Sequence, residues 1–454
     1  MSNIVKPRTL SGFMELLPEQ QLEFEAITGV LKRVYESYGF YPLDTPILEA
    51  SEVLLAKGGG DTEKQIYRFS KGDTDLSMRF DLTVPLAKYV ALNYGSLSFP
   101  FRRYQIGKVY RGERAQRGRY REFYQADIDI IGDGELSVIN EAEIPAIIYN
   151  TFKELGLTRF KIRVNNRKLL SGFFLMLESA LPASEMMRII DKLDKIGIDK
   201  VCEELAETGI SDGDISLVRG FISRQGSIEE ILLGLEEYRG RNELFDCGLD
   251  ELRVVTAYLG DFGVPEENFG IDLTIARGLD YYTGTVYETY MIDHPEIGSI
   301  CSGGRYDDLA GFYTNKKLPG VGISIGLTRL FYILDEMNYI NAAGAPPSTD
   351  VLVLPMTDDL GLAVSFARIM RERGLKAQIY YEGRKFKAKM AYADKIKAPF
   401  AAIIGEDEIE QGTVALKNMI SGEQQSCTFE EAACILKESV KSRSEHRIIE
   451  VPCE

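Results

Sequence analysis

The spacing of apolar residues predicts a helix near the start of the chain and a long strand pair further on. Over residues 18–38 apolar side chains recur every three to five positions, and Gly39 ends the pattern. This spacing puts one apolar stripe on a helix. Over residues 99–131 apolar and polar positions alternate instead. We therefore expect two long strands joined by a polar loop, followed by a helix over about 135–155.

Composition shifts along the chain predict its domain organisation. Residues of about 168–262 carry repeated helical patterns and few strand signals, so we interpret them as a helical insertion in a body that spans 1–340. Residues 341–349 (NAAGAPPST) have the composition of a linker. Strands then alternate with helices over 350–454, which predicts a compact α/β domain with a largely parallel sheet.

Charge and composition exclude several classes of protein. The chain has 454 residues, with 69 acids against 53 bases and a net charge of −16. It cannot bind nucleic acid by bulk charge, so any such contact needs a local basic patch. Two histidines and six dispersed cysteines argue against zinc and against histidine-based nucleophilic catalysis. No membrane-spanning apolar run and no signal-peptide core are present, which predicts a cytoplasmic protein.

The densest chemical signal lies in the loop of the predicted strand pair. Residues 102–121 hold eight bases and one acid, Glu113, which makes a local charge of +7. Arginine grips phosphate oxygens with paired planar donors, so this loop suits a polyphosphate. The alternative is a solvated loop whose charge is incidental.

The strand that follows this loop has two chemically distinct faces. Its period of two puts Phe123, Gln125, Asp127 and Asp129 on one face and apolar residues on the other. A sheet face with arginine, aromatic and carboxylate groups can hold a phosphate, a purine and a cationic amine. A solvent-facing strand would show the same alternation.

A second candidate motif is ARGLDYYTGTVYE, at 276–288. Arg277 lies at a predicted strand end, where it can stabilise charge that develops on phosphorus. The hydroxyls of Tyr281 and Tyr282 can hydrogen-bond a planar heteroaromatic substrate. On pattern alone the segment could equally be a hairpin with core tyrosines.

Two strand–helix junctions complete the set of candidates. In GVGISIGLTRL, Arg329 falls in the first turn of a helix after glycines that permit close approach of a ligand. A tightly packed junction would show the same glycines. In FDLTVP, Asp81 and Thr83 stand where a strand enters a helix, and either could simply cap that helix.

Together these segments resemble the class II aminoacyl-tRNA synthetases, and among them the histidyl-tRNA synthetases. FYPLDTPILE (40–49) resembles the dimer-interface motif 1, KVYRGERAQRGRYREFYQADIDIIG (108–132) resembles motif 2, and GVGISIGLTRL resembles motif 3. ARGLDYYTGTVYE and SGGRYDDL resemble the two histidine-specific signatures. Thr328 replaces an acid common in motif 3, and Ser302 replaces a frequent alanine.

The resemblance implies the fold and a role for each candidate residue. The fold is α+β, with a catalytic domain on an antiparallel sheet that carries a helical insertion, plus a C-terminal α/β anticodon-binding domain. Histidine would be held by Asp81, Thr83, Arg111, Gln125, Asp129, Arg277, Tyr281 and Tyr282. ATP would be held by Arg111, Glu113, Arg119, Phe123 and Arg329. Arg277 and Arg111 would be catalytic, and Arg114 and Gln116 would face the tRNA acceptor end.

The implied activity is that of a histidine–tRNA ligase. Such an enzyme activates L-histidine with ATP and Mg²⁺, without zinc, and transfers the histidyl group to the 3′ end of tRNA(His), usually as a homodimer. The basic stretch 384–397, with six bases and one acid, would serve tRNA binding, although it could be a solvated helix face. Two rivals remain: a regulatory subunit of ATP phosphoribosyltransferase, and a non-catalytic RNA-binding regulator.

Overall fold

The chain folds into two compact units, each with its own sheet. The structure is a computed structural model. The larger unit is built mainly from residues up to 336 and the smaller mainly from residues beyond 347. Most of the predicted linker and the last ten residues lie outside the part of the chain that the structure describes. The described residues are 4–56, 61–116, 118–179, 181–276, 282–336 and 347–444.

The larger unit is centred on an eight-stranded sheet. Its strands run in the order β1-β5-β6-β11-β10-β9-β7-β8, and a separate small sheet has the order β2-β4-β3. The strands are β1 (Tyr41–Pro42), β2 (Leu48–Ala50), β3 (Arg68–Lys71), β4 (Thr74–Met78), β5 (Phe101–Tyr110), β6 (Glu122–Ile131), β7 (Phe160–Asn166), β8 (Phe269–Ile271), β9 (Thr285–Met291), β10 (Cys301–Tyr306) and β11 (Gly320–Ile325). In this spatial order, every neighbouring pair from β5 through β6, β11, β10 and β9 to β7 is antiparallel. Among the strands of this sheet, the edge strands β1 and β8 pair parallel with their neighbours. The expected antiparallel sheet is thus confirmed.

Helices precede, separate and follow these strands, and they fill the segment between β7 and β8. They are α1 (Pro18–Ser37), α2 (Ser51–Leu54), α3 (Asp61–Gln65), α4 (Thr83–Asn93), α5 (Ile139–Leu155), α6 (Arg167–Leu175), α7 (Ala183–Ile190), α8 (Leu193–Ile196), α9 (Ile198–Glu207), α10 (Asp212–Ile222), α11 (Ile228–Leu235), α12 (Glu243–Asp261) and α13 (Leu327–Glu336). Helix α13 packs on β6 and α5 packs on β11. No helix among the described residues is long and apolar enough to cross a membrane.

The predicted strand pair is the hairpin β5–β6, and its alternation decides which side carries chemistry. Tyr104, Ile128 and Ile130 are buried on the apolar side. The register places Arg103 opposite Asp129, so both lie on the other side of the sheet. Helix α5 begins at Ile139, later than predicted, because the chain first turns at Gly134, where φ is +77°. Polar residues therefore gather on one face of the central sheet.

Two glycines allow the helices after β7 to pack closely. A Cβ on Gly172 of α6 would lie 2.3 Å from the backbone nitrogen of Phe245, and one on Gly248 of α12 would lie 2.3 Å from that of Leu169. Both positions need the absence of a side chain because the two backbones touch. This contact fixes α6 and α12 together at the base of the helical segment.

The smaller unit has a mixed sheet, so the expectation of a largely parallel one is wrong. Its elements are β12 (Val351–Pro355), α14 (Gly361–Glu372), β13 (Ala377–Ile379), α15 (Phe386–Lys395), β14 (Phe400–Ile404), α16 (Glu406–Gln411), β15 (Val414–Asn418), β16 (Gln424–Cys427) and α17 (Phe429–Ser444). β12 pairs parallel with β13 and β14, whereas β15 pairs antiparallel with β14 and β16. Residues 405–413 are too few for the crossover of about a dozen residues that a parallel partner needs.

Candidate active site

Two adjoining cavities open on the polar face of the eight-stranded sheet. The first has a volume of about 600 Å³ and the second of about 340 Å³. Five residues line both cavities: Arg111, Gln125, Glu288, Ser302 and Ser324. The two spaces therefore meet over the middle of β6, β9, β10 and β11, where two ligands could touch.

The first cavity brings together most of the residues expected to hold histidine. They come from four separate stretches of chain, namely the start of α4, the end of β5, the strand β6 and the entry to β9. The residues are Asp81, Thr83, Arg111, Gln125, Asp129 and Tyr282. Arg277 and Tyr281 lie outside the described residues. Ala276 and Tyr282, on either side of that gap, both line the first cavity.

Asp81 both caps a helix and lines the cavity. Its Oδ1 accepts hydrogen bonds from the backbone N–H groups of Thr83 and Val84, at 3.1 and 2.9 Å. The capping role that the sequence left open is therefore present. Burial raises the pKa of Asp81 above its ordinary value, while these bonds and the charge of Arg111 oppose the shift.

Asp129 is held by two buried partners. The guanidinium Nη2 of Arg103 lies 2.6 Å from its Oδ2, and Tyr306 donates its hydroxyl to Oδ1 at 2.7 Å. Arg103 is fully buried and Asp129 is 3% exposed, so neither partner is screened by solvent. A carboxylate fixed in this way is a specific acceptor for a ligand N–H group.

Burial destabilises the ionised form of the carboxyl groups in this cavity. Burial raises the pKa of Asp129, although the charge of Arg103 opposes the shift. Burial also raises the pKa of Asp127 to about 7, with smaller contributions from the neighbouring charges of Asp129 and Asp81. A cationic ligand would relieve this repulsion, so the cavity favours an ammonium group.

Glycines keep the floor of the first cavity open. Gly322 on β11 pairs with Asp129, and a Cβ there would lie 2.2 Å from the Asp129 Oδ1. A Cβ on Gly304 of β10 would lie 2.6 Å from the carbonyl oxygen of Thr285 and 3.0 Å from the Tyr282 ring. Any larger residue at either position would displace the groups that line the cavity.

The second cavity is lined by every residue expected to bind ATP. Those residues are Arg111, Glu113, Arg119, Phe123 and Arg329. Arg329 donates from Nη1 to the carbonyl of Ser299 at 2.9 Å and from Nε to that of Gly118 at 3.3 Å. Burial, together with the nearby charges of Arg119 and Arg111, lowers the pKa of Arg329. Mutual repulsion among guanidinium groups makes this a site for a multiply charged anion.

Arg111 stands between the two cavities. Its guanidinium carbon lies 4.3 Å from the ring centroid of Phe80 and 5.1 Å from that of Phe123, and its Nε donates to the carbonyl of Phe80 at 3.2 Å. Stacking on aromatic rings fixes the plane of the guanidinium. Among the arginines of the described residues, Arg111 alone lines both cavities.

The loop between β5 and β6 lines the second cavity in part and also exposes polar side chains to solvent. Gln116 and Arg119 close it by two backbone hydrogen bonds of 3.1 and 2.9 Å. Arg114 and Gln116, expected to meet the tRNA, are exposed.

Thr328, the departure noted in motif 3, is buried and accepts a hydrogen bond from the Tyr124 backbone at 2.7 Å, so it ties α13 to β6.

Several residues that line the site were not singled out from the sequence. Glu288 and Tyr306 lie on strands whose pairing partners no local pattern reveals. Helix α7 also contributes residues to the first cavity, among them Ser184, Met187 and Arg188. Its amphipathic sequence predicted a helix but not the surface that the helix covers.

No group of three or more His, Cys, Asp or Glu side chains that could hold a metal ion occurs within the described ranges. The carboxylates nearest the arginine-lined space are Glu113 and Glu288, which both line the second cavity. Mg²⁺ is commonly bound by one or two carboxylates together with substrate phosphates, so these oxygens are of the right chemical kind.

Comparisons with known proteins match the chain over nearly its whole length. A family model described as histidyl-tRNA synthetase matches residues 12–330, and one described as an anticodon binding domain matches 350–439. Proteins named histidine–tRNA ligase from Clostridium tetani and Finegoldia magna are 54% and 48% identical, over 96% and 93% of this chain and 99% and 97% of their own. The crystal structure of histidyl-tRNA synthetase from Nostoc sp. PCC 7120 aligns with a TM-score of 0.88 at 40% identity, covering 96% of this chain and all of that one.

Proposed function

This chain belongs to the histidyl-tRNA synthetase family, and from that premise we propose that it joins L-histidine to tRNA(His) in two steps. In the first step, a carboxylate oxygen of histidine attacks the α-phosphorus of ATP. The bond from that phosphorus to the bridging oxygen breaks, and pyrophosphate leaves. In the second step, a hydroxyl of the terminal tRNA ribose attacks the histidyl carbonyl and AMP leaves. The family and the enzyme class expected from the sequence are confirmed by the comparisons.

The two cavities support a division of labour in the first step. The acidic first cavity accepts the α-ammonium and the imidazole of histidine, with Asp129 and Tyr282 facing the ring and Asp81, Thr83 and Gln125 facing the ammonium. The arginines of the second cavity hold ATP, and Phe123 supports the adenine. The observation that carries the proposal is that residues expected at each ligand from sequence resemblance line two adjoining spaces of opposite charge.

Catalysis then rests on positioning and charge rather than on a protein nucleophile. Arg111 faces both spaces, so it can hold the histidine carboxylate near the α-phosphate and balance the charge of the attacked group. Arg277 would stabilise the same charge. Mg²⁺, held by ATP oxygens with Glu288 and Glu113 nearby, would neutralise the outer phosphates.

The tRNA is proposed to meet two exposed regions. Arg114 and Gln116 would contact its acceptor end. In the smaller unit, Arg384, Lys385 and Lys387 are exposed, whereas Lys389 is buried with its Nζ hydrogen-bonded to a backbone carbonyl, so only part of the basic stretch is available. Changing Arg384 and Lys387 together to Ala is expected to raise the KM for tRNA about tenfold and to leave adenylate formation unchanged.

We also propose that two copies associate through the segment that resembles motif 1 and act in the cytoplasm. Tyr41, Ile47 and Leu48 of this segment are 69%, 39% and 44% exposed. A contiguous patch of exposed apolar side chains marks an association surface, and these three residues are our candidates for such a patch. Sedimentation equilibrium should give a dimer for the native chain and a monomer for Leu48→Glu. A monomeric native chain would contradict the proposal.

Histidine-dependent exchange of pyrophosphate into ATP tests the proposed activity. The purified chain with Mg²⁺ is expected to exchange label only when L-histidine is present, and to charge tRNA(His) under the same conditions. A folded protein that shows no exchange would fit a regulatory subunit of ATP phosphoribosyltransferase instead. Binding of tRNA without exchange would fit a non-catalytic RNA-binding regulator.

A further inference from the structure

Asp127 is a buried carboxylate at the site to which the proposed reaction assigns no part. It lies on β6 between Gln125 and Asp129, lines the first cavity and is 2% exposed. Its partner in the antiparallel ladder is Ser324 of β11. One carboxylate oxygen, Oδ1, is buried without a hydrogen-bond partner, while the Ser324 side chain hydrogen-bonds to the carboxylate. A buried charge in such a position needs an explanation.

Hydrogen bonds connect Asp127 to Gln125 through Ser324. The Gln125 Nε2 donates to the Ser324 Oγ at 2.7 Å. The Ser324 hydroxyl has one proton, and an ionised carboxylate can only accept, so above the Asp127 pKa of about 7 that proton points to Asp127. The Ser324 oxygen is then left as an acceptor, which is what the Nε2 of Gln125 requires.

This chain of bonds decides which way the Gln125 amide faces. With Nε2 committed to Ser324, the amide presents its Oε1, which is buried and has no hydrogen-bond partner in the protein. Gln125 lines both cavities. An amide turned the other way would present N–H groups to the cavity and repel an ammonium ion.

We propose that Asp127 and Ser324 are positioning residues that fix the Gln125 amide with its oxygen directed at the α-ammonium group of the amino-acid substrate. This inference rests on the proposed function, because it assumes that the first cavity binds histidine. It adds a source of selectivity, since a site built with a fixed acceptor rejects a ligand that lacks the matching donor.

The test compares L-histidine with 3-(imidazol-4-yl)propionate, which has the same ring and carboxylate but no amino group. Calorimetry above the Asp127 pKa of about 7 would give the Kd of each ligand for the full chain and for Asp127→Ala, Ser324→Ala and their double variant. Ser324→Thr keeps the hydroxyl, and Asp261→Ala at the exposed end of α12 is a matched control.

Each single variant is expected to weaken histidine about tenfold and to leave the analogue unchanged. The double variant should lose no more than either single one, because all three break the same chain of bonds. Ser324→Thr and Asp261→Ala should keep the native preference for histidine. In pyrophosphate exchange the KM for histidine should rise about tenfold, with kcat changed by less than about threefold.

Three results would overturn the inference. Equal weakening of histidine and the analogue would indicate a merely structural role. A loss in Asp127→Ala without one in Ser324→Ala would indicate direct contact of Asp127 with the substrate. Additive losses in the double variant would show that the two residues act independently. A native chain that binds no histidine would instead overturn the proposed function, and the inference with it.

Discussion

The two cavities of the site share five residues yet carry opposite charge. Asp81, Asp127 and Asp129 line the first, whereas Arg119 and Arg329 line the second. Burial raises the pKa of the carboxyl groups, and burial with neighbouring guanidinium groups lowers that of Arg329. Without a ligand, the ionised form of these carboxyl groups in the first cavity and the charged form of Arg329 in the second are thus destabilised. A ligand of opposite sign relieves that cost, which is how a preorganised site selects an ammonium on one side and a polyphosphate on the other.

The comparison also explains how a chain of net charge −16 can hold ATP. Binding depends on the local charge of each cavity, and the sheet places acidic residues at the first cavity and arginines at the neighbouring second one. Arg103 balances the acidic side from within the sheet, and Arg111 stands where the two sides meet. Changing these residues should therefore break the arrangement in different ways.

Changing the shared arginine should have the largest effect. Arg111→Gln removes a charge that lines both cavities, so kcat/KM for pyrophosphate exchange should fall about 1000-fold for histidine and for ATP alike. Exchange kinetics at varied concentration of each substrate measure this. Arg114→Gln, an exposed loop arginine, should stay within about threefold of the native chain. A large effect on only one substrate would show that Arg111 does not bridge the cavities.

Removing the buried counter-charge should cost stability rather than catalysis alone. Arg103→Met leaves Asp129 buried without its ion-pair partner, and the free energy of unfolding should fall by about 3 kcal/mol or more. Urea denaturation measures it. Arg219→Met breaks the exposed pair with Asp199 and should cost less than about 1 kcal/mol. Equal losses in the two variants would mean that Arg103 does not balance the acidic cavity.

Filling the floor of the acidic cavity should separate the two substrates. In Gly322→Ala the new methyl group meets the Asp129 Oδ1, so the KM for histidine should rise about 100-fold while that for ATP changes little. Gly260→Ala on α12, where a Cβ meets nothing within 4 Å, is the matched control and should be silent in exchange kinetics. A parallel rise in both KM values would speak against separate cavities.

The smallest expected effect concerns pH. The folded protein holds a proton on Asp127 up to a pKa of about 7, whereas the unfolded chain releases it near 4. This contribution to stability is therefore greatest at low pH and is lost as pH rises through that range. Relative to the native chain, Asp127→Asn should gain about 1–2 kcal/mol between pH 5 and pH 7 in urea denaturation. No relative change would show that Asp127 is ionised throughout.

Much of the site could be predicted from the sequence because many of its side chains recur every second residue along one strand. Alternation placed Phe123, Gln125, Asp127 and Asp129 on one face of β6, and the structure has all four lining the two cavities. Arg103 could not be paired with Asp129 in advance, since the register depends on how the loop between β5 and β6 closes. The approach of α7 to the first cavity depends on packing between distant segments.

The smaller unit shows the same limit. Charge counting identified the basic stretch 384–397, but a count cannot tell which side chains point outward. Lys389 is buried against the carbonyl of Pro355, while Lys387 and Lys395 on the same helix are exposed. The mixed sheet likewise follows from the short connection between β14 and β15, and the alternation of strands and helices in the sequence does not take the length of that connection into account.

Exchange kinetics on one variant from each cavity show whether histidine and ATP occupy separate cavities. Asp129→Asn keeps an acceptor for Tyr306 but removes the negative charge, and Arg329→Ala removes one positive charge from the other side. If the two cavities are separate sites, the KM for histidine should rise about 100-fold in the first variant, with the KM for ATP within about threefold, and the reverse should hold in the second. If both variants raised both KM values to the same degree, the two cavities would not be separate sites for histidine and ATP.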